Sequence, residues 1–272
     1  MQTERIEEIE ELAGYISESY FGRNKINPIE IASRNNISFS FGDYQDYFDG
    51  LLEYMNEKFH IYVNINHVNN QDHPRSRFTV AHELGHYFIE EHHNALITGA
   101  LSHPSFTEFN SDNIIEKEAD LFAASLLMPK KKFISSSKKT PMGAKGIVEL
   151  SKIFSTSLMS TAIRYVENST YPVMIIFWNN NKRSWQKGSD SFDDINCGWT
   201  YKDSESIPQD TLTCMALNEK LSFESALAQE KGSVLSTWFP SMKFSSRNTD
   251  ILIEQAIPVG RYGVLTVLRL DN

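Results

Sequence analysis

The sequence predicts an α+β protein in two parts. Apolar residues up to about residue 166 recur mostly at helical spacing, interrupted by short runs that alternate with period two. After Thr170 the texture changes: Asn, Ser, Asp and aromatic residues increase, and short β-like runs appear. The boundary falls near residue 168. Residues 1–168 form the first part and residues 169–272 a smaller mixed α/β part. A chain of 272 residues is long enough for this, at roughly 100–200 residues per domain.

The elements follow in order. Ile6, Ile9, Ala13, Ile16 and Tyr20 make one face of an amphipathic helix with glutamates opposite. Asn27-Pro28 opens a short second helix, since proline fits a first helical position. Ile37–Phe41 alternates as a strand. Gly50–Met55 and Phe59–Ile65 read as a hairpin turning at Asn56-Glu57-Lys58. A helix is expected from about Ser76 to about Glu91, and another from about Asn113 to about Met128, stopped at Pro129. Lys138–Gly146 is loop-like. Ile147–Phe154 and Leu158–Val166, joined by Ser155-Thr156-Ser157, have helix-turn-helix spacing. Val173–Trp178 and Val264–Leu270 are strands of the second part.

Composition excludes several classes. A 40% hydrophobic and 12% aromatic chain is not a disordered one. A net charge of −9 disfavours non-specific nucleic-acid or anionic-membrane binding. Two cysteines, Cys197 and Cys214, cannot make a disulfide framework, a cysteine-rich zinc module or a Cys-ligated iron–sulfur cluster. The longest apolar runs, such as Val173–Trp178, fall far short of the roughly 20 residues that span a bilayer. The acidic start MQTERIEEIEEL lacks the basic and apolar regions of a secretory signal. A cytoplasmic protein is expected.

The chemistry lies in His82-Glu83-Leu84-Gly85-His86. On a helix, positions i and i+4 share a face, so both imidazoles can bind one metal ion, and Glu83 can reach a water on that ion. Phe78, Val80, Ala81 and Leu84 make the helix at least half buried, so its polar groups require partners. Zinc needs a third protein ligand. The segment Glu116-Lys117-Glu118-Ala119-Asp120-Leu121-Phe122-Ala123-Ala124 supplies one: Glu116, Ala119, Asp120 and Ala123 share a face whose small residues allow close approach. Glu118, about 200° around the helix from Glu116, cannot face the same ion. Asp120 is placed to accept the free N–H of a ligand histidine.

RFTVAHELGHYF followed by EKEADLFAASLLMP resembles the ImmA/IrrE family of zinc metallopeptidases. The resemblance runs over roughly residues 25–168, from NPIEIA through the GLLEY…IYVNIN hairpin to ELSKIFSTSLMSTAIRYV. It implies a zincin-like, gluzincin-like domain binding one Zn2+ per chain, with His82, His86 and Glu116 as ligands and Glu83 as catalytic base. It also implies an anti-repressor: an endopeptidase that cleaves a cognate helix-turn-helix repressor and so relieves repression of stress-response or mobile-element genes. Many members carry a histidine four residues after the motif, where this chain has Glu90. His92 and His93 are read as charges at a helix end. An oxyanion donor is expected, with Tyr87 and His60 as bare candidates.

Between Lys130 and Arg164 stand eight basic residues and one acidic residue, Glu149. Such a segment suits an acidic partner or DNA. The second reading is therefore a DNA-associated or ligand-sensing regulator whose metal site is structural or inactive. Trp178, Trp185, Trp199 and Trp238 are read as core and rim residues. Residues 169–272 are expected to be regulatory or sensory, with no legible ligand motif.

Overall fold

The computed structural model describes residues 1–22, 25–66, 72–99, 113–193, 207–239 and 251–270. The chain divides into two compact units, Met1–Phe133 with Lys152–Ser157 and Ile134–Ser151 with Leu158–Asn272. These units follow packing, and they part the chain at other points than the change of composition at residue 168.

The first unit begins with α1 (Thr3–Phe21), α2 (Pro28–Arg34) and β1 (Ser38–Gly42). Asn27 caps α2, its side chain accepting from the Ile29 N–H. Strands β2 (Gly50–Met55) and β3 (Lys58–Asn64) are antiparallel, with Asn56 and Glu57 both at positive φ, as a tight hairpin turn requires. β1 joins β3 in parallel, giving the order β1-β3-β2. Phe59, Ile61 and Val63 point into the core, while His60, Tyr62 and Asn64 alternate to the opposite face.

The helix expected from Ser76 to Glu91 is two helices, α3 (Pro74–Phe88) and α4 (Glu90–Ile97). They break at Ile89, which is buried in extended backbone. The periodic pattern continues through the break, so no local signal marks it. α5 (Ile114–Leu127) starts at Asn113, whose side chain accepts from the Ile115 N–H. α3 packs between the sheet and α5, and α1 packs on α5. Ile61, Val80, Leu84, Phe122, Leu126 and Ile9 share the resulting core. The sequence reading passed over α6 (Lys130–Ser137), whose only fully buried apolar anchor is Phe133.

α7 (Ala144–Phe154) and α8 (Leu158–Glu167) stand where helix-turn-helix spacing placed them. The second unit then builds a five-stranded antiparallel sheet in the order β5-β4-β8-β7-β6. Its strands are β4 (Val173–Asn179), β5 (Lys182–Gly188), β6 (Lys231–Val234), β7 (Ile251–Pro258) and β8 (Val264–Leu270). Among the described residues four short helices intervene: α9 (Asp190–Asp193), α10 (Leu212–Leu217), α11 (Phe223–Ala228) and α12 (Leu235–Trp238). α8 packs on β4 and β5, and α10 and α11 on β7. This cover on β4 explains its unbroken apolar run. Trp178 and Trp238 are fully buried, and Trp185 packs against Phe177. Trp199 and Cys197 lie outside the described residues. No helix among the described residues is long and apolar enough to cross a membrane.

Candidate metal centre

The i, i+4 spacing on α3 brings the Nε2 atoms of His82 and His86 to 3.1 Å of one another. α5 closes the site from the side. Its approach is set at Gly85: a Cβ there would stand 3.1 Å from the Ala119 Cα and 3.2 Å from the Ala119 carbonyl. A side chain at Gly85 would push α5 away. With the helices this close, Glu116 places Oε2 3.2 Å from His82 Nε2 and Oε1 3.4 Å from His86 Nε2. All three residues are buried, and their ligand atoms lie within 4.8 Å of one another. Two imidazoles and a carboxylate converging at one point fit the donor set of a three-ligand zinc site. This group can bind a metal ion.

Asp120 stands one turn beyond Glu116, as the spacing suggests. Its Oδ1 lies 2.8 Å from His82 Nδ1, so it accepts that N–H and leaves Nε2 to face the site. The electrostatics agree with a place built for positive charge. Burial works to lower the basicity of His82, but the Asp120 and Glu116 carboxylates outweigh it and raise the imidazole to about 10. Burial alone would push Glu116 up, yet the two histidines hold its carboxyl far below the usual carboxylate range. A cation bound here would take the place of a proton on these groups.

Glu83 is buried beside this cluster. It faces the start of β2, and Gly50 makes room for it. A Cβ at Gly50 would come within 2.4 Å of Glu83 Oε1 and 2.5 Å of Thr79 Cγ2. The sequence reading missed this role of Gly50; a glycine opening an otherwise apolar strand pattern was the available signal.

His60 lies on the sheet face turned away from the core, its ring nitrogens 2.7 Å from the Ser38 hydroxyl and 2.9 Å from the Ser40 hydroxyl. The Tyr87 ring packs in an aromatic cluster with Phe59, Phe88 and His93. The expectation for His92 requires correction. It is a buried residue, 3% exposed, and not a solvated helix-end charge. The break at Ile89 carries it inward, where its ring packs 5.2 Å from that of His86 and Nε2 lies 3.0 Å from Glu118 Oε2. His93, half-buried, donates from Nδ1 to the Tyr87 carbonyl.

Residues 50–165 match the family model of Peptidase_M78, described as the IrrE N-terminal-like domain. A search of curated proteins gives no match. Among solved structures, a Mycobacterium tuberculosis transcriptional regulator is similar in fold, with a TM-score of 0.56 at 12% identity. That likeness covers 100% of this chain and 77% of the other.

Proposed function

We propose, from the match of residues 50–165 to the IrrE N-terminal-like domain, that the chain is a zinc-dependent endopeptidase acting on a partner protein. The observation that carries this reading is the convergence of His82, His86 and Glu116 at one buried point beside Glu83. His82, His86 and Glu116 would hold a zinc ion, which would supply Lewis acidity there. The other roles belong to the chain. Asp120 fixes the tautomer of His82. Glu83, next to the ligands, takes the proton of the attacking water and delivers it to the leaving amine. Among the described residues β2 pairs only with β3, so its outer edge is open to an extended substrate strand beside Glu83.

The test is Glu83→Gln. Because Glu83 is not among the converging ligands, the variant keeps stoichiometric zinc by elemental analysis and loses cleavage of the partner by at least about 100-fold. Full biological activity in this variant would establish the second reading, a regulator with a structural metal site.

The proposed partner is a helix-turn-helix repressor carrying an acidic surface, and the proposed compartment is the cytoplasm. Lys138, Lys139 and Lys145 are exposed and make no ion pair among the described residues. Reversing all three to Glu weakens cleavage of the protein substrate and its salt dependence, but not cleavage of a short neutral peptide. Equal loss on both substrates refutes a docking role. Direct DNA binding through α8 is disfavoured by burial: of its ten residues only Glu167 is exposed, and Arg164 is buried. Residues 169–272 are proposed as a regulatory or sensory part. Unaltered control of cleavage by a fragment ending at residue 168 removes that role.

A further inference from the structure

Behind the converging ligands lies a second polar cluster that the proposed chemistry does not use. Arg5, in the first turn of α1, donates from Nε and Nη2 to the two carboxylate oxygens of Glu118, both at 2.9 Å. The same guanidinium reaches Glu91 at 3.0 and 3.3 Å and Glu8 at 2.9 Å. Glu118 Oε2 also accepts from His92 Nε2 at 3.0 Å. A carboxylate only accepts, so the His92 proton sits on Nε2. The ring of His92 lies against that of His86, with centroids 5.2 Å apart and planes tilted by 39°. Glu118 and His92 are both buried.

Glu116 and Glu118 lie about 200° apart around α5, so this helix is gripped on two opposite sides. One side meets His82 and His86 through Glu116. The other meets Arg5 and His92 through Glu118. Rotation of α5 that misdirects Glu116 must break the two-pronged Arg5–Glu118 pair. Such a fork resists rotation better than a single contact, because both oxygens must stay in register. Arg5, Glu91, His92 and Glu118 also line one groove of about 930 Å³.

We propose that Arg5 is a positioning residue for the metal centre: through Glu118 it sets the rotation of α5 that aims Glu116 and holds the His92 ring against His86. The inference rests on the metal-centre reading above. It assigns the first turn of α1 a role in ligand geometry, although it lies outside residues 50–165.

The experiment uses the full chain and measures Zn2+ affinity by competition with a chelator and the visible spectrum of the Co2+-loaded protein. Arg5→Gln weakens Zn2+ binding by about tenfold or more, in the range of losses at partners of ligand residues, and alters the Co2+ spectrum. Arg5→Lys keeps the charge but not the fork, and recovers part of the affinity. Lys130→Gln breaks the Lys130–Glu10 pair, which also ties α1 down, and leaves affinity and spectrum unchanged. Arg5→Gln with wild-type affinity and spectrum overturns the proposal, even if its melting temperature falls. Should that variant not fold, Arg5→Lys carries the test, and unchanged affinity and spectrum in it overturn the proposal equally. A wild-type protein that binds neither ion overturns the metal-centre reading itself.

Discussion

Each unit buries a glutamate, and the two sites are built in opposite ways. Glu116 faces two imidazoles, groups that can exchange a proton for a metal ion, and is held ionised by them. Glu254 on β7 is wholly buried and meets neutral donors: the backbone N–H groups of Leu212 and Thr213 at 3.1 and 2.7 Å and the Thr213 hydroxyl at 2.8 Å. The Thr213 hydroxyl continues to Thr266, which accepts from the Trp178 indole N–H. Burial pushes the Glu254 carboxyl up despite these bonds. The first acid has partners that suit a cation; the second has fixed donors that tie α10 to the sheet. A buried carboxylate marks a site only through what surrounds it.

The largest expected effect separates the two acids by metal affinity. Glu116→Gln removes a ligand and weakens zinc binding by more than about 100-fold, beyond the losses seen for partners of ligands. Glu254→Gln leaves zinc binding unchanged. Chelator competition on both variants, with Glu118→Gln beside them, checks the assignment. Release of zinc by Glu118→Gln with retention by Glu116→Gln means that α5 is turned the other way.

A smaller effect sharpens the contrast between holding the ion and using it. Gly50→Ala drives a methyl group into Glu83 and Thr79, whose atoms stand nearest to it, and neither residue is one of the three ligands. Misplacing a catalytic group by about 1 Å can cost about 100-fold in rate. The variant should keep its zinc and lose kcat by up to that factor. Unchanged kcat at full zinc content would show that Glu83 does not work at the mouth of β2.

The smallest effect concerns stability. Glu254→Gln leaves donors facing an amide and destabilises the second unit by about 1–3 kcal/mol, read by denaturant unfolding. The sign of its pH dependence follows from the raised carboxyl. The neutral form is favoured in the folded state, so its stabilisation is full below the ordinary carboxylate value and is lost as pH rises through the folded value. The gap between wild type and Glu254→Gln therefore narrows as pH rises. A gap that widens instead means that the carboxyl is ionised in the fold.

The sequence was most legible where one local rule sufficed. The hairpin β2–β3, the start of α2 at Pro28 and the apolar strands β4 and β8 could be read from turn chemistry and periodicity. β5 was not legible, because KRSWQKG is a polar edge strand with no buried residue. Nor was β7, whose Glu254 and Gln255 are buried polar residues in a central strand. Their partners, Thr213 for the acid and the Ala144 N–H for the amide, are more than 40 positions away.

The same division runs through the metal centre. The sequence by itself placed His82 and His86 on one helical face and put Glu116, Ala119 and Asp120 together on another, because helix geometry fixes those relations within about one turn. Tertiary structure decided the rest. It turned His60 to the face of the sheet away from the core, and bent the chain at Ile89 so that His92 packs on His86. It set Gly50 against Glu83, and brought Arg5 to Glu118 across 113 positions of sequence. These are contacts between separate elements. They depend on how side-chain volumes and buried charges settle among α1, α3, α4, α5 and β2, and periodicity within any one segment does not encode that.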